Sequence, residues 1–424
     1  MAYHGLGMAW NNLARSPAPD TIRNLWLKAL QYADGLTPYE QLKLRDALIF
    51  TDTVGHGTMF DRAVRLYQDY IRLYPMEGRA LQSLAWYLRH VDRWAEAEAA
   101  ARRGLQAGNT GPGLYDELVR AQIAVGKFAA ADSAARAWRE LHGPTRLWYV
   151  DAFRLATARG DHATGDSLLA EAADSLGAAA PHVLGIYTLA MRGRMREAEE
   201  LFRLQRRNRE VAAQASASLS LTAWYAALHA NVTGDTAGGL AMLHNALAPH
   251  PLDDLPVGFP WTGVALHLAS LGDTARARQL EAVPPANAPI YRSEIFLRGL
   301  LDLAAGRHHD AIRELRQVRY TTGHLPPLGS AYEAIGARDS AIAVYERFLN
   351  GAGVDYPQWH GIYLARVLER VAELYAARGD STRAVQRYRT LADLWRDADP
   401  ELQWRARRAR TRALQLTAGG QSRR

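Results

Sequence analysis

The sequence predicts an all-α protein, a right-handed superhelical solenoid built of antiparallel helical hairpins. Three observations carry this. Small residues recur at a hairpin spacing: Ala63, Ala97, Ala131, Gly165, Ala198, Gly239, Ala277, Ala311, Ala341 and Ala384, with the first three intervals each 34 residues long. Alanine, leucine and arginine dominate and β-branched runs are few, which favours helix throughout. The 18 prolines fall at helix boundaries, as at Pro38, Pro75, Pro112, Pro144, Pro181, Pro251, Pro285, Pro327, Pro357 and Pro400, where a missing N–H costs least. At 424 residues the chain exceeds the usual single-core domain, yet no long linker divides it. A stack of repeats resolves this, because each repeat needs only its neighbours.

The most complete copy of the pattern is Pro327 to Leu349. Its first helix supplies Leu328, Gly329 and Tyr332 at the spacing L-G-x-x-Y, Gly336 marks the turn, and the second helix supplies Ala341, Tyr345 and Phe348. Small residues at Gly329 and Ala341 let two backbones approach while the larger ones fill the seam. This pattern resembles the tetratricopeptide (TPR) repeat, in which one hairpin alone cannot bury its apolar face.

In chain order, Leu6, Ala9, Trp10 and Leu13 share one face of an opening helix, and Thr21 to Ala33 is its partner, stopped by Asp34-Gly35. Residues 1–34 are thus an incomplete first hairpin without a polar cap, as expected of a fragment of a longer protein or a shortened gene. Thr37-Pro38-Tyr39-Glu40 is a capping box, with Thr37 as N-cap and Glu40 returning the bond. That helix should run to about Thr53 and break at Gly55-His56-Gly57 before Phe60 to Tyr74. Regular hairpins follow at 79–107, 113–142, 147–175 and 181–206, turning at Asp92, Gly126, Gly160 and Gly193, so residues 35–206 form a regular array. Across 207–398 the array continues with longer connections, notably RRNREVAAQAS and HPLDDLPVGFP, between hairpins at 261–281, 292–319, 325–350 and 361–397. Residues 399–424 are a capping helix from about Pro400 to Leu416 and a basic tail.

The net charge is +7, but seven arginines and no acid follow Glu401: Arg405, Arg407, Arg408, Arg410, Arg412, Arg423 and Arg424. The repeat body is therefore near neutral, and the basic balance reports a tail rather than a nucleic-acid groove. Nucleic acid is not an expected partner; binding through the tail would fall steeply with salt and be lost with residues 403–424. The absence of cysteine excludes thiol catalysis, cysteine-based zinc sites and disulfides. No stretch is long and apolar enough to span a membrane, and MAYHGLGMAW lacks the features of a signal peptide. As written, the chain reads as cytoplasmic.

Three stretches carry a further resemblance: LTPYEQL at 36–42, RWAEAEAAARRGL at 93–105 and LWRDADPEL at 394–402. They are similar to the C-terminal TPR region of bacterial eukaryotic-like serine/threonine protein kinases and related multidomain regulators. The resemblance implies a sensory or scaffolding region preceded in that family by a kinase domain and often a membrane span, and a place outside the cytoplasmic membrane if it is tethered there. The kinase machinery itself is absent from this sequence. Arg45-Asp46 follows Leu44 rather than histidine, and there is neither a D-F-G nor a glycine-rich phosphate loop.

No cofactor or metal is expected. His308-His309-Asp310 is the densest ligand group, but adjacent helical residues point about 100° apart and cannot share one ion. No H-E-x-x-H and no G-x-S-x-G occurs. The expected function is instead non-enzymatic binding of a protein or peptide on the concave face, which the first helix of each hairpin lines. There the register places Arg79, Gln82, Trp86, Arg89, Asp116, Arg120, Arg154, Tyr187 and Trp224. Arginine beside tryptophan suits carboxylates or acidic segments; the alternative is that both merely pack between hairpins or form a solvated face. Toward the C-terminus, Glu333, Glu369 and Glu373 make the same surface more acidic.

Overall fold

The computed structural model describes residues 19–50, 56–176, 182–207, 215–251, 261–282, 293–318, 321–351 and 357–421. The helix expected around Leu6 to Leu13 and the connections within 208–214 and 252–260 lie outside the described residues. Among the described residues there are 22 α-helices, one 3-10 turn and no strand, so the chain is an all-α helical solenoid. The first are α1 (Pro19–Leu30), α2 (Pro38–Phe50), α3 (His56–Leu73), α4 (Gly78–His90), α5 (Trp94–Gln106), α6 (Pro112–Ala124) and α7 (Phe128–His142). The middle ones are α8 (Arg146–Ala158), α9 (His162–Leu176), α10 (His182–Met191), α11 (Met195–Arg207), α12 (Ala215–Thr233), α13 (Thr236–Leu247), α14 (Trp261–Ser270) and α15 (Thr274–Glu281). Then come α16 (Ser293–Ala304), α17 (His308–Leu315), α18 (Leu325–Ala334), α19 (Arg338–Gly351), α20 (Pro357–Ala377), α21 (Ser381–Leu394) and α22 (Gln403–Gln421).

From α2 onward the even-numbered helices are the first and the odd-numbered the second of each hairpin. All ten spaced small residues sit on second helices, and the packing explains them. Ala63, Ala97, Ala131, Ala198, Ala277, Ala311, Ala341 and Ala384 are each 0% exposed, and Gly165 and Gly239 are buried. A methyl group on Gly239 would meet the carbonyl of Ala226 on α12, and one on Gly329 would drive into the ring of Tyr345. Backbone proximity therefore selects the small residue at these positions.

The ends of first helices are equally local. Asp92, with φ of 60°, is the one non-glycine among the described residues in the left-handed region, where Gly126 and Gly160 hold φ of 75° and 71°. Glycine enters that region without steric cost and aspartate at a modest one. At α2, the Thr37 N–H donates to Glu40 Oε2 at 2.8 Å and the Glu40 N–H donates to Thr37 Oγ1 at 3.3 Å, the reciprocal capping box.

The chain forms two compact units. The first runs to Leu155 and the second holds the helices that follow. The second unit closes on itself. Its late helix α20 packs against α10 and α12, the first helices with which the unit begins. The seam continues past α21: the Trp395 indole N–H donates to the Met191 carbonyl at 2.9 Å, and the Asp399 N–H donates to the Gly193 carbonyl at 3.0 Å. Asp399 also caps α11 from far along the chain, accepting from the Arg196 N–H at 2.9 Å, while Arg196 pairs with Glu401 at 2.8 Å. Trp395 is fully buried in this seam.

Candidate functional site

In the first unit the residues expected on the concave face are largely engaged with one another. Arg89 is 6% exposed and bonds Glu117 of α6 through two guanidinium nitrogens, at 2.8 and 3.3 Å. Asp116, Arg120 and Arg154 meet around Asp151 of α8. Arg120 Nε lies 2.7 Å from Asp116 and 3.4 Å from Asp151, and Arg154 donates to Asp151. Burial, reinforced by the Asp151 carboxylate, pushes Asp116 up to about 9, so it holds a proton at neutral pH. Burial alone would raise Asp151 too, but Arg120 and Arg154 hold it ionised. Arg89, Arg120 and Arg154 are thus turned toward acids within the fold, although Asp151 Oδ2 and Arg154 Nε are buried without a hydrogen-bond partner.

The remaining three are nearer the surface. Trp86 packs on His90 with ring centroids 4.0 Å apart and on Phe60 at 6.0 Å. Gln82 accepts from Asn109 at 3.2 Å. Arg79 is exposed, pairs with Glu77 and stacks over Tyr39 at 4.2 Å from the ring centre. The structure thus brings Asp116, Arg120 and Arg154 into one cluster, pairs Arg89 with an acid, and leaves Arg79 as the accessible cation of the set.

Tyr187 and Trp224 belong to the second unit, where α20 covers the first-helix face. Tyr187 is buried, and a Cβ added at Gly361 of α20 would stand 3.0 Å from its carbonyl oxygen and 3.2 Å from its Cβ, a tight approach of the two helices. Trp224 meets Trp359 of α20 edge to face at 4.4 Å, and His267 of α14 at 4.5 Å. Phe296 of α16 completes the group, 5.7 Å from Trp359. These rings pack against one another beside α20. His267 is buried there with its Nε2 unbonded, and burial pushes it down to about 3, so it is neutral.

A cavity of about 550 Å³ lies among the first helices α12, α14, α16, α18 and α20, with Arg408 of α22 at its edge. Its floor is apolar, from Leu300, Leu303, Pro327, Tyr363 and Val367. Glu333, Glu369 and Glu373, expected to make this surface acidic, all line it, but Arg366 and Arg370, which sequence reasoning did not single out, and Arg408 of the basic tail line it too. Arg370 is held by Glu333, with its Nε at 2.7 Å, and by Glu373 at 2.6 Å. The hydroxyl of Tyr345 donates to Glu333 as well, at 2.7 Å. Arg408 stands 3.7 Å from both Glu369 and Glu373, beyond hydrogen-bond reach. The signal available in the sequence was the stripe Tyr363, Arg366, Val367, Arg370, Glu373, whose spacing of three and four puts it on one helix face.

No protein-family model and no curated protein matches the sequence. Among solved structures, the chain is similar to the APC/C hetero-tetramer Cut9–Hcn1, at 12% identity over 93% of this chain and 68% of that one, with a TM-score of 0.41. It is similar to the TPR domain of P58(IPK) at 13% identity over 99% and 98% of the two chains, with a TM-score of 0.26. It is also similar to Naa15/Naa10 bound to HypK-THB at 12% identity over 94% and 76%, with a TM-score of 0.27.

Proposed function

We propose that this chain is a non-enzymatic protein-interaction scaffold that holds a short segment of a protein or peptide in the cavity of its second unit. The observation that supports this is the cavity itself: five first helices converge on one partly enclosed space with an apolar floor and a charged rim. A long helix or strand laid across the whole first-helix face is disfavoured, because α20 and the rings around Trp359 already occupy part of it. The segment is therefore short, with apolar side chains for the floor.

The test is selection from a peptide library displayed between two carrier segments, with the full chain as bait. Selected peptides are then measured against Leu303→Trp, which fills the floor, and against Arg103→Glu on α5 in the first unit. Affinity should fall by about tenfold or more, roughly 1.4 kcal/mol, with the first variant and stay unchanged with the second. Peptides that bind Leu303→Trp as well as the parent would overturn the reading.

A further inference from the structure

We propose that the outer face of the last helix, α22, is a peripheral docking surface for an anionic lipid bilayer. The proposal concerns a different part of the molecule from the cavity and does not depend on what the cavity holds.

The helix is two-sided. Ala406, Ala409 and Ala413 recur every three or four residues and are buried, the stripe with which α22 packs on α21. The opposite stripe, Trp404, Arg407, Thr411 and Leu414, has the same spacing and is exposed, Trp404 at 44% and Leu414 at 68%. Arg408, Arg410 and Arg412 flank it and are exposed as well. The whole helix carries five arginines and no acid. Glu369 and Glu373 of α20 approach it on one flank only, 3.7 Å from Arg408, and Glu401, just before the helix, is paired with Arg196. Arg405 lies between the rings of Trp395 and Trp404, 5.3 and 5.4 Å from their centres, which ties Trp404 to the seam.

Exposed arginines alone are an ordinary solvated face. Two large apolar side chains standing among them are not, and they decide between anionic partners. A nucleic acid answers the arginines with phosphates but gives Leu414 no apolar contact. A folded protein needs a complementary surface of about 1,000 Å² or more, and a convex strip about 15 Å long offers it neither pocket nor groove. A bilayer requires no complementary shape. Tryptophan settles at the level of the head groups, leucine reaches the acyl boundary, and arginines beside them extend to the lipid phosphates.

Co-flotation of the full chain with vesicles tests this. Vesicles of phosphatidylcholine with about one third phosphatidylglycerol should carry the chain, vesicles of phosphatidylcholine alone should not, and added salt should release it. Arg407→Gln with Arg410→Gln should weaken binding by about 25-fold, roughly fivefold for each charge. Trp404→Ser with Leu414→Ser should weaken it by about tenfold. Leu414→Ser alone should weaken it by about threefold, and because that side chain is 68% exposed the loss is one of contact rather than of fold. Leu303→Trp, in the cavity, should leave it unchanged. Failure to float with the anionic vesicles at low salt overturns the proposal. Binding that the arginine pair weakens and neither apolar variant does also overturns it, and retention of single-stranded RNA by the same arginines would then assign the face to nucleic acid.

Discussion

The two units fill their first-helix faces by different means. In the first, charges do it: Arg89 with Glu117, and Arg120 and Arg154 around Asp151. In the second, aromatic rings and a returning helix do it, with Trp224 and His267 against Trp359 of α20. The same small-residue register underlies both. A hairpin repeat therefore fixes how neighbours stack and leaves open what becomes of the inner face.

Removing the seam should separate the two most sharply. Trp395 is fully buried, and Trp395→Ala should cost about 3–5 kcal/mol. Hydrogen exchange followed by mass spectrometry should show lost protection in residues 182–207 and 357–398 and unchanged protection in 78–142. Uniform loss across all three would mean that the units do not unfold separately.

The first unit has its own weak point. Arg89→Ala removes the two guanidinium hydrogen bonds to the buried Glu117 carboxylate and should cost about 3 kcal/mol or more, whereas Arg89→Met with Glu117→Leu should recover most of it. Chemical denaturation of the three proteins measures this, and equal losses in single and double variants would show that the charge pair is not what holds α4 to α6.

The buried histidines of the second unit and Asp116 of the first give pH dependences of opposite sign. Burial pushes His267 to about 3 and His360 to about 4, from an ordinary 6.5. Between those values the unfolded chain binds more protons, so second-unit stability is full above about 6.5 and falls with decreasing pH, by up to about 1.4 kcal/mol per pH unit for each histidine. Asp116 has the reverse sign. With its carboxyl pushed up from 3.8 to about 9, the contribution of this one group to first-unit stability is full below about 4 and is lost as pH rises toward 9. His267→Leu should flatten the acid slope and Asp116→Asn the alkaline one, both read as denaturation midpoints against pH.

The smallest effect concerns the distant cap. Asp399→Ala should cost about 1 kcal/mol and loosen the start of α11, with Asp399→Asn retaining most of the stability. Amide exchange at Arg196 is the direct readout.

Much of this was legible in the sequence because it is encoded locally. The ten small residues, the Thr37 capping box and the left-handed turns at Asp92 and Gly126 each depend on neighbours within one hairpin. The placement of Glu333, Glu369 and Glu373 on a shared surface also followed from register. What was not legible depends on partners far along the chain. Nothing near Arg89 announces Glu117, and nothing near Trp395 announces the carbonyl of Met191. The cavity was hidden for the same reason, since its wall is a helix whose return to α10 and α12 leaves no trace in periodicity.

The closed seam also constrains how this protein can change. An open array tolerates duplication or loss of one hairpin, because the ends simply move apart or together. In the second unit, one hairpin more or fewer would carry Trp395 and Asp399 away from Met191 and Arg196, so copy number there is fixed by geometry, while the lengths of the connecting loops remain free to drift.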